Sequence, residues 1–377
     1  MPHLYLDNAA TTRVDDAVVQ AMVEAMTVDY GNPSSAHRLG LAASARLEAA
    51  RQQVADALGA APREVYFTSG GTEANALGIL GPAAHARGRH VVVSAIEHPS
   101  VGEAARRLVE RGFTITEVAP GRDGVVAAER LAEAVGDETA LVALMLVSNE
   151  LGTIQPVFEA ARLVKQRAPK AHFHVDAVQG VGKVRVDVRS GPIDSLALSA
   201  HKIHGPKGAG ALWLRPGARV TSLTVGGGQE RNVRPGTQGV PGAVGLGLAV
   251  ALAEASREAS GKHLASLGER LIAGARALVP GLRLNGDRAQ AVPHVISLGF
   301  PGLPAEPLLH ALEGRGVYVS AGSACASKDK KPSPTLRAIG LPDDVGALRF
   351  SCSRHTTADE IEQALRALAA AVREVRP

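Results

Sequence analysis

Aromatic residues make up only 3% of the 377 residues. Leu, Val, Ile and Ala must therefore fill the core, and a protein that stacks nucleic-acid bases on aromatic platforms is disfavoured. Only two cysteines occur, Cys325 and Cys352. Two thiols cannot build a disulfide framework or a four-cysteine zinc site, and a reducing compartment suits them best. There is no block of five like charges, and 41 basic against 37 acidic side chains leave a net +4. That surplus is too diffuse for an electrostatic nucleic-acid arm. The longest apolar stretches, Ala140–Val147 and Ala243–Ala253, fall short of the roughly 20 residues of a membrane span. The opening Met1-Pro2-His3-Leu4-Tyr5 has no basic stretch followed by an apolar one, so the expected location is the cytoplasm. Motifs are missing as well. No Gly-Lys pair precedes Ser or Thr as in a phosphate loop, and no GxSxG or HExxH occurs. The run Gly226-Gly227-Gly228 makes no GxGxxG, which disfavours a nicotinamide enzyme. No metal is expected.

What is present is an alternation. Short β-rich runs, among them Glu64–Thr68, His90–Ser94, Thr139–Val147, His172–Val175 and Ser195–Ser199, are separated by amphipathic helical runs. This pattern predicts an α/β fold, a mainly parallel sheet covered by helices on both faces. Apolar-throughout runs such as ALVALMLV read as strands buried on both sides. Beyond the sheet come two helical runs, from Gly245 to about Glu258 and from His263 to Leu278, then a smaller mixed unit closed by a helix near Ala358–Val375. The expected division is a large domain over residues 16–255, and a small domain over residues 1–15 and 256–377 that carries the Cys325 loop.

Three segments fall where such a sheet places ligands, at the carboxyl ends of strands. In Thr68-Ser69-Gly70-Gly71-Thr72-Glu73 the glycines allow a tight turn into a helix whose free N–H groups suit phosphate; a glycine turn capped by Thr72 reads equally well. In His174-Val175-Asp176-Ala177-Val178-Gln179 an acid ends an apolar strand, where it needs a cationic partner or serves as a cap. In Ser199-Ala200-His201-Lys202 a lysine sits at the mouth of a buried sheet, and a desolvated amine suits imine formation. Lys207 is the competing lysine.

In this order the three segments resemble the pyridoxal-phosphate (PLP) enzymes of the aspartate-aminotransferase fold. More narrowly, they resemble the cysteine desulfurases of the class V aminotransferase superfamily. The likeness extends through Asp7-Asn8-Ala9-Ala10, Gly31-Asn32-Pro33, Glu97-His98-Pro99-Ser100, Ser148-Asn149-Glu150, Gly226–Thr237 and Gly322-Ser323-Ala324-Cys325. The resemblance implies a seven-stranded large domain with a smaller α/β domain, and PLP attached to Lys202. Asp176 would pair with the ring nitrogen and Gln179 with the ring's phenolic oxygen. Gly71, Thr72, Ser199 and His201 would hold the phosphate, with Thr237 reaching the partner's phosphate in a homodimer. His98 would stack on the ring and move protons, and Asn149 and Arg349 would bind the substrate carboxylate.

Cys325 selects the reaction. It precedes the polar stretch Ala326–Pro334, where packing gives no reason for a cysteine. Lys328, Lys330 and Lys331 could favour its thiolate. Long-loop members of the family carry a catalytic cysteine of this kind. Cys352, inside an apolar strand, reads as a core residue. The expected reaction removes sulfur from L-cysteine, leaving alanine and a Cys325 persulfide for an iron–sulfur scaffold or a tRNA-thiolation relay. A selenocysteine lyase is the alternative within the superfamily, and a sulfur-relay scaffold without catalysis is a third reading.

Overall fold

The structure, a computed structural model, describes residues 3–322 and 333–376. Cys325 and the three lysines of its loop lie outside the described residues. The strands are β1 (Leu4–Tyr5), β2 (Val65–Thr68), β3 (His90–Ser94), β4 (Thr114–Val118), β5 (Thr139–Met145), β6 (His172–Asp176), β7 (Ser195–Ser199), β8 (Gly210–Leu214), β9 (Arg283–Leu284), β10 (Val295–Pro301), β11 (Val317–Tyr318) and β12 (Val345–Ser351). The helices are α1 (Asp16–Thr27), α2 (Arg38–Leu58), α3 (Gly71–Ala83), α4 (Pro99–Val109), α5 (Ala128–Glu133), α6 (Val157–Arg167), α7 (Val240–Leu278), α8 (Ala305–Glu313), α9 (Pro334–Ala338) and α10 (Ala358–Val375).

Seven strands form one sheet in the order β2-β8-β7-β6-β5-β3-β4. Pairing is parallel from β7 to β4, and β8 is antiparallel to both its neighbours. Every residue of β5, β7 and β8 is buried, as helices on both faces require. Because the parallel strands point the same way, the segments after β2, β3, β5, β6 and β7 emerge at one edge. A second, three-stranded sheet has the order β12-β10-β9, and β1 pairs with β11.

Two large apolar clusters lie side by side. One joins the big sheet to α2, α6 and the first half of α7, up to Ala253. The other joins Leu4 and Leu6 to the second half of α7, from Leu264, and to β10, β12, α8 and α10. One expectation is corrected here. The two helical runs after Gly245 are a single 39-residue helix, α7. Ser260-Gly261, between the two runs, costs only about 1 kcal/mol in helix propensity, and packing on both cores outweighs it. The closing helix α10 starts at a capping box: Thr357 Oγ1 accepts from Glu360 N while Glu360 accepts from Thr357 N.

A buried two-pronged ion pair fastens a loop to the sheet edge. Arg51 Nη1 and Nη2 reach Glu230 Oε2 and Oε1 at 2.7 and 2.8 Å, and Phe67 N donates to the same carboxylate. Glu230, Arg231 and Asn232 all have positive φ, between 44° and 65°, a conformation non-glycine residues hold only when surroundings impose it. The turn is anchored at two of these residues, Glu230 by the ion pair and Arg231 by donation from its Nη2 to Val65 O. No helix of the described residues is long and apolar enough to cross a membrane.

Candidate active site

The carboxyl edge of the large sheet opens into a cavity of about 280 Å³, near the lower bound of roughly 300 Å³ for ligand pockets. Its lining includes Gly71, Thr72, His98, Asn149, Asp176, Gln179, Ser199, His201, Lys202 and Arg349. Ten of the twelve site residues expected from sequence thus share one cavity. Thr237 is exposed and lies outside it, and Cys325 is not described. Lys207 is exposed and does not line it.

Each side chain arrives by a local device. Gly70 has φ 150° and ψ −178°, a region essentially confined to glycine, and so turns β2 into α3. A Cβ on Gly71 would sit 2.6 Å from Val178 Cγ2, so only glycine lets this helix start approach the floor. Lys202 follows β7 in a short 3-10 turn, and its Nζ donates to the carbonyls of Ala9 and Ala10 at 2.7 Å each. Gln179 Nε2 donates to Ala9 O, and its Oε1 accepts from Lys183 Nζ. His98 caps α4, its Nδ1 accepting from Ser100 N; the helix-start role and the cavity role are held by the same residue. Arg349 is 3% exposed, donates to Asn149 O and Asp7 Oδ1, and keeps a buried Nε with no partner among the described residues.

Protonation follows from burial. His201 is pushed down to about 4 by desolvation and then by Lys202 and Lys207, so it is a neutral donor. Lys183 falls to about 7 through desolvation and the Lys202 charge. His98 is lowered by desolvation, with Asp176 opposing and Lys202 adding. Glu150 is raised by burial, although Ser333 and Arg349 favour its charged form. Its Oε2 accepts from Ser333 and lies 3.8 Å from the Cβ position of Gly322, so this one carboxyl meets the residues on either side of the segment 323–332.

Glu97 is pushed up to about 8, first by desolvation and then by Asp176, against hydrogen bonds from Ser94 and Met145 N. Folded protein therefore keeps this proton where an unfolded carboxyl, near 4.5, has lost it. Folding binds a proton across that window, and stability is lost as pH rises through it towards 8. Glu97→Gln cannot ionise. Its urea midpoint relative to the natural protein should climb between about pH 5 and about pH 8.5; parallel pH profiles would contradict the assignment.

Four participants carried no assigned role in the sequence reading: Asn75, Glu97, Ser100 and Lys183. Glu97 and Ser100 lie in the segment Glu97-His98-Pro99-Ser100 and Asn75 closes the segment Phe67–Asn75, both of which carried the resemblance, but nothing local to them named a partner; Lys183 had no such signal. A cluster with metal-compatible spacing also exists, Asp15, His204 and His355 within 4.8 Å. Arg354 donates to the same Asp15 carboxylate, which already balances its charge, so the cluster reads as an ion pair.

The cavity fits PLP: a glycine-built helix start beside Ser199 and His201 for a phosphate, an acid at the end of β6 for a ring nitrogen, and a lysine amine among carbonyls. Comparison with known proteins agrees. A cysteine desulfurase IscS of Methanosarcina thermophila is 41% identical over 377 residues, spanning 99% of this chain and 93% of that one. A solved structure titled NIFS-LIKE PROTEIN superposes with a TM-score of 0.93 at 36% identity, over 99% of this chain and 100% of that one. Another, SspA in complex with cysteine, has a TM-score of 0.82 at 32% identity over 94% and 99%. The family described as Aminotransferase class-V matches residues 4–364. On this evidence of sequence, fold and cavity, the chain belongs to the aminotransferase class-V family.

Proposed function

We propose that the chain is a PLP-dependent cysteine desulfurase that converts L-cysteine and the Cys325 thiol into L-alanine and a Cys325 persulfide. The observation that carries this reading is the gathering of Lys202, Asp176, His98, Gln179, Arg349 and the phosphate cradle in one cavity. When bound, PLP supplies an electron sink for the charge released at the substrate α-carbon.

The chain's own residues do the rest. Lys202 would hold the cofactor through its amine, and that amine would move the substrate's α-proton. Asp176 would accept a hydrogen bond from the ring nitrogen, and Gln179 Nε2, which gives one hydrogen to Ala9 O, would offer its second to the phenolic oxygen. Gly71, Thr72, Ser199 and His201 hold the phosphate, and Thr237 serves the partner's site in a homodimer. Arg349, with an unused Nε, and Asn149 take the substrate carboxylate. The Cys325 thiolate takes the sulfur. We assign residues 16–255 to a PLP-binding domain and residues 1–15 and 256–377 to a second domain, with α7 crossing between them. The two apolar clusters support that division.

The persulfide passes to a protein acceptor of iron–sulfur assembly or tRNA thiolation in the cytoplasm. Purified protein given PLP and L-cysteine should release alanine in equal amount to the sulfur it mobilises. Selenocysteine supplied in parallel tests the lyase alternative, and a large preference for it would replace the present reading.

A further inference from the structure

Asn75, in the first turns of α3, is 1% exposed and has three hydrogen-bond partners around its amide. Nδ2 donates to Asp176 Oδ2 and to Ser100 Oγ, each at 2.8 Å. Oδ1 faces His174 Nε2 at 2.9 Å. A carboxylate only accepts, and Asp176 accepts from both Asn75 and Val178 N. That single fact sets the direction of every bond connected to it.

With Nδ2 turned to Asp176, Oδ1 must accept, so His174 carries its proton on Nε2. His174 is 0% exposed and held neutral by burial. Its Nδ1 is therefore a lone pair that accepts from Ser195 Oγ at 2.8 Å. Ser195 Oγ in turn accepts from His172 Nε2 at 2.7 Å. On the other arm, Ser100 Oγ accepts from Asn75 and turns its own proton to His98 Nδ1 at 2.8 Å. Ser100 N adds a second donor to the same nitrogen, so neutral His98 carries its hydrogen on Nε2. The packing makes room for this arrangement, since a Cβ on Gly78 would stand 2.3 Å from His174 Nδ1.

We propose that Asn75 is a positioning residue that ties Asp176 to His98 and fixes the polarity of a hydrogen-bond chain running from Ser100 through His174 to His172. Its consequence for the reaction is directional. His98 exchanges protons through Nε2 alone, and Asp176 is held as an acceptor before any ligand arrives. This role rests on the proposed binding of PLP in the cavity; the polarity itself does not.

Nitrogen-15 NMR of histidine-labelled, cofactor-free protein reads the tautomers directly. The expected result is Nε2–H for His98, His172 and His174. An Nδ1–H signal from His174 would mean the Asn75 amide is reversed, and would overturn the proposal. In PLP-loaded protein, Asn75→Ala should move the pH midpoint of the cofactor absorbance by about half a unit or more. Ser100→Ala, which cuts only the His98 arm, should leave His174 as Nε2–H and move that midpoint less. Equal midpoints in the natural protein and Asn75→Ala would also overturn it. If Asn75→Ala does not fold, the natural tautomers and Ser100→Ala still decide. Failure to take up PLP would count against the functional reading and leave the NMR result standing.

Discussion

Cys325→Ser should keep PLP and its absorbance while persulfide formation falls at least about a thousand-fold, the scale of losing a covalent nucleophile. A serine hydroxyl does not attack sulfur at neutral pH. The other thiol cannot replace it. Cys352 is 2% exposed, and burial pushes it up to about 12, with Arg288 opposing. At pH 7 roughly one molecule in 10⁵ holds that thiolate, and it sits in a core cluster beside Phe350 and Leu348. Cys352→Ala should accordingly leave the rate within about twofold. Protein-bound sulfur measured after cysteine addition checks both variants. Sulfur that persists in Cys325→Ser and vanishes in Cys352→Ala would reverse the assignment.

Lys202→Ala should abolish the visible absorbance of bound PLP and turnover together. Three lysines compete for the role. Lys207 is exposed and outside the cavity. Lys183 has an amine lowered to about 7, which makes it chemically able, but it does not line the main cavity and bonds Gln179. Lys202 lines the cavity with Asp176 and His201. It follows β7 in a short turn, and its Nζ donates to the carbonyls of Ala9 and Ala10. Lys183→Ala should keep the absorbance. A colourless Lys183→Ala beside a coloured Lys202→Ala would move the attachment point.

Much of this was legible in the residues themselves. The runs of β5 and β7 are apolar throughout because both faces of those strands are covered, and such runs show in any reading for period. Strand direction does not, because periodicity is the same either way; the reversal of β8 is visible only through its pairing. Two-residue strands such as β1 and β9 are too short to carry a period at all.

Residues that line the cavity were legible where chemistry is unusual for the place, as with an acid closing an apolar strand or a lysine after another. Asn75 and Ser100 were not, since a single polar residue in a helix start has many ordinary reasons to be there. Their part comes from tertiary contact, with Asp176 lying 101 positions from Asn75. Thr237, which the resemblance assigned to a partner's site, is exposed and lies outside this chain's cavity.

The most direct test of the account is reduction of the PLP-loaded natural protein with borohydride, followed by mapping of the labelled peptide. The account predicts one label per chain, on Lys202 in the Ser199–Lys207 segment. No covalent label, or a label on Lys183 or Lys207, would contradict it.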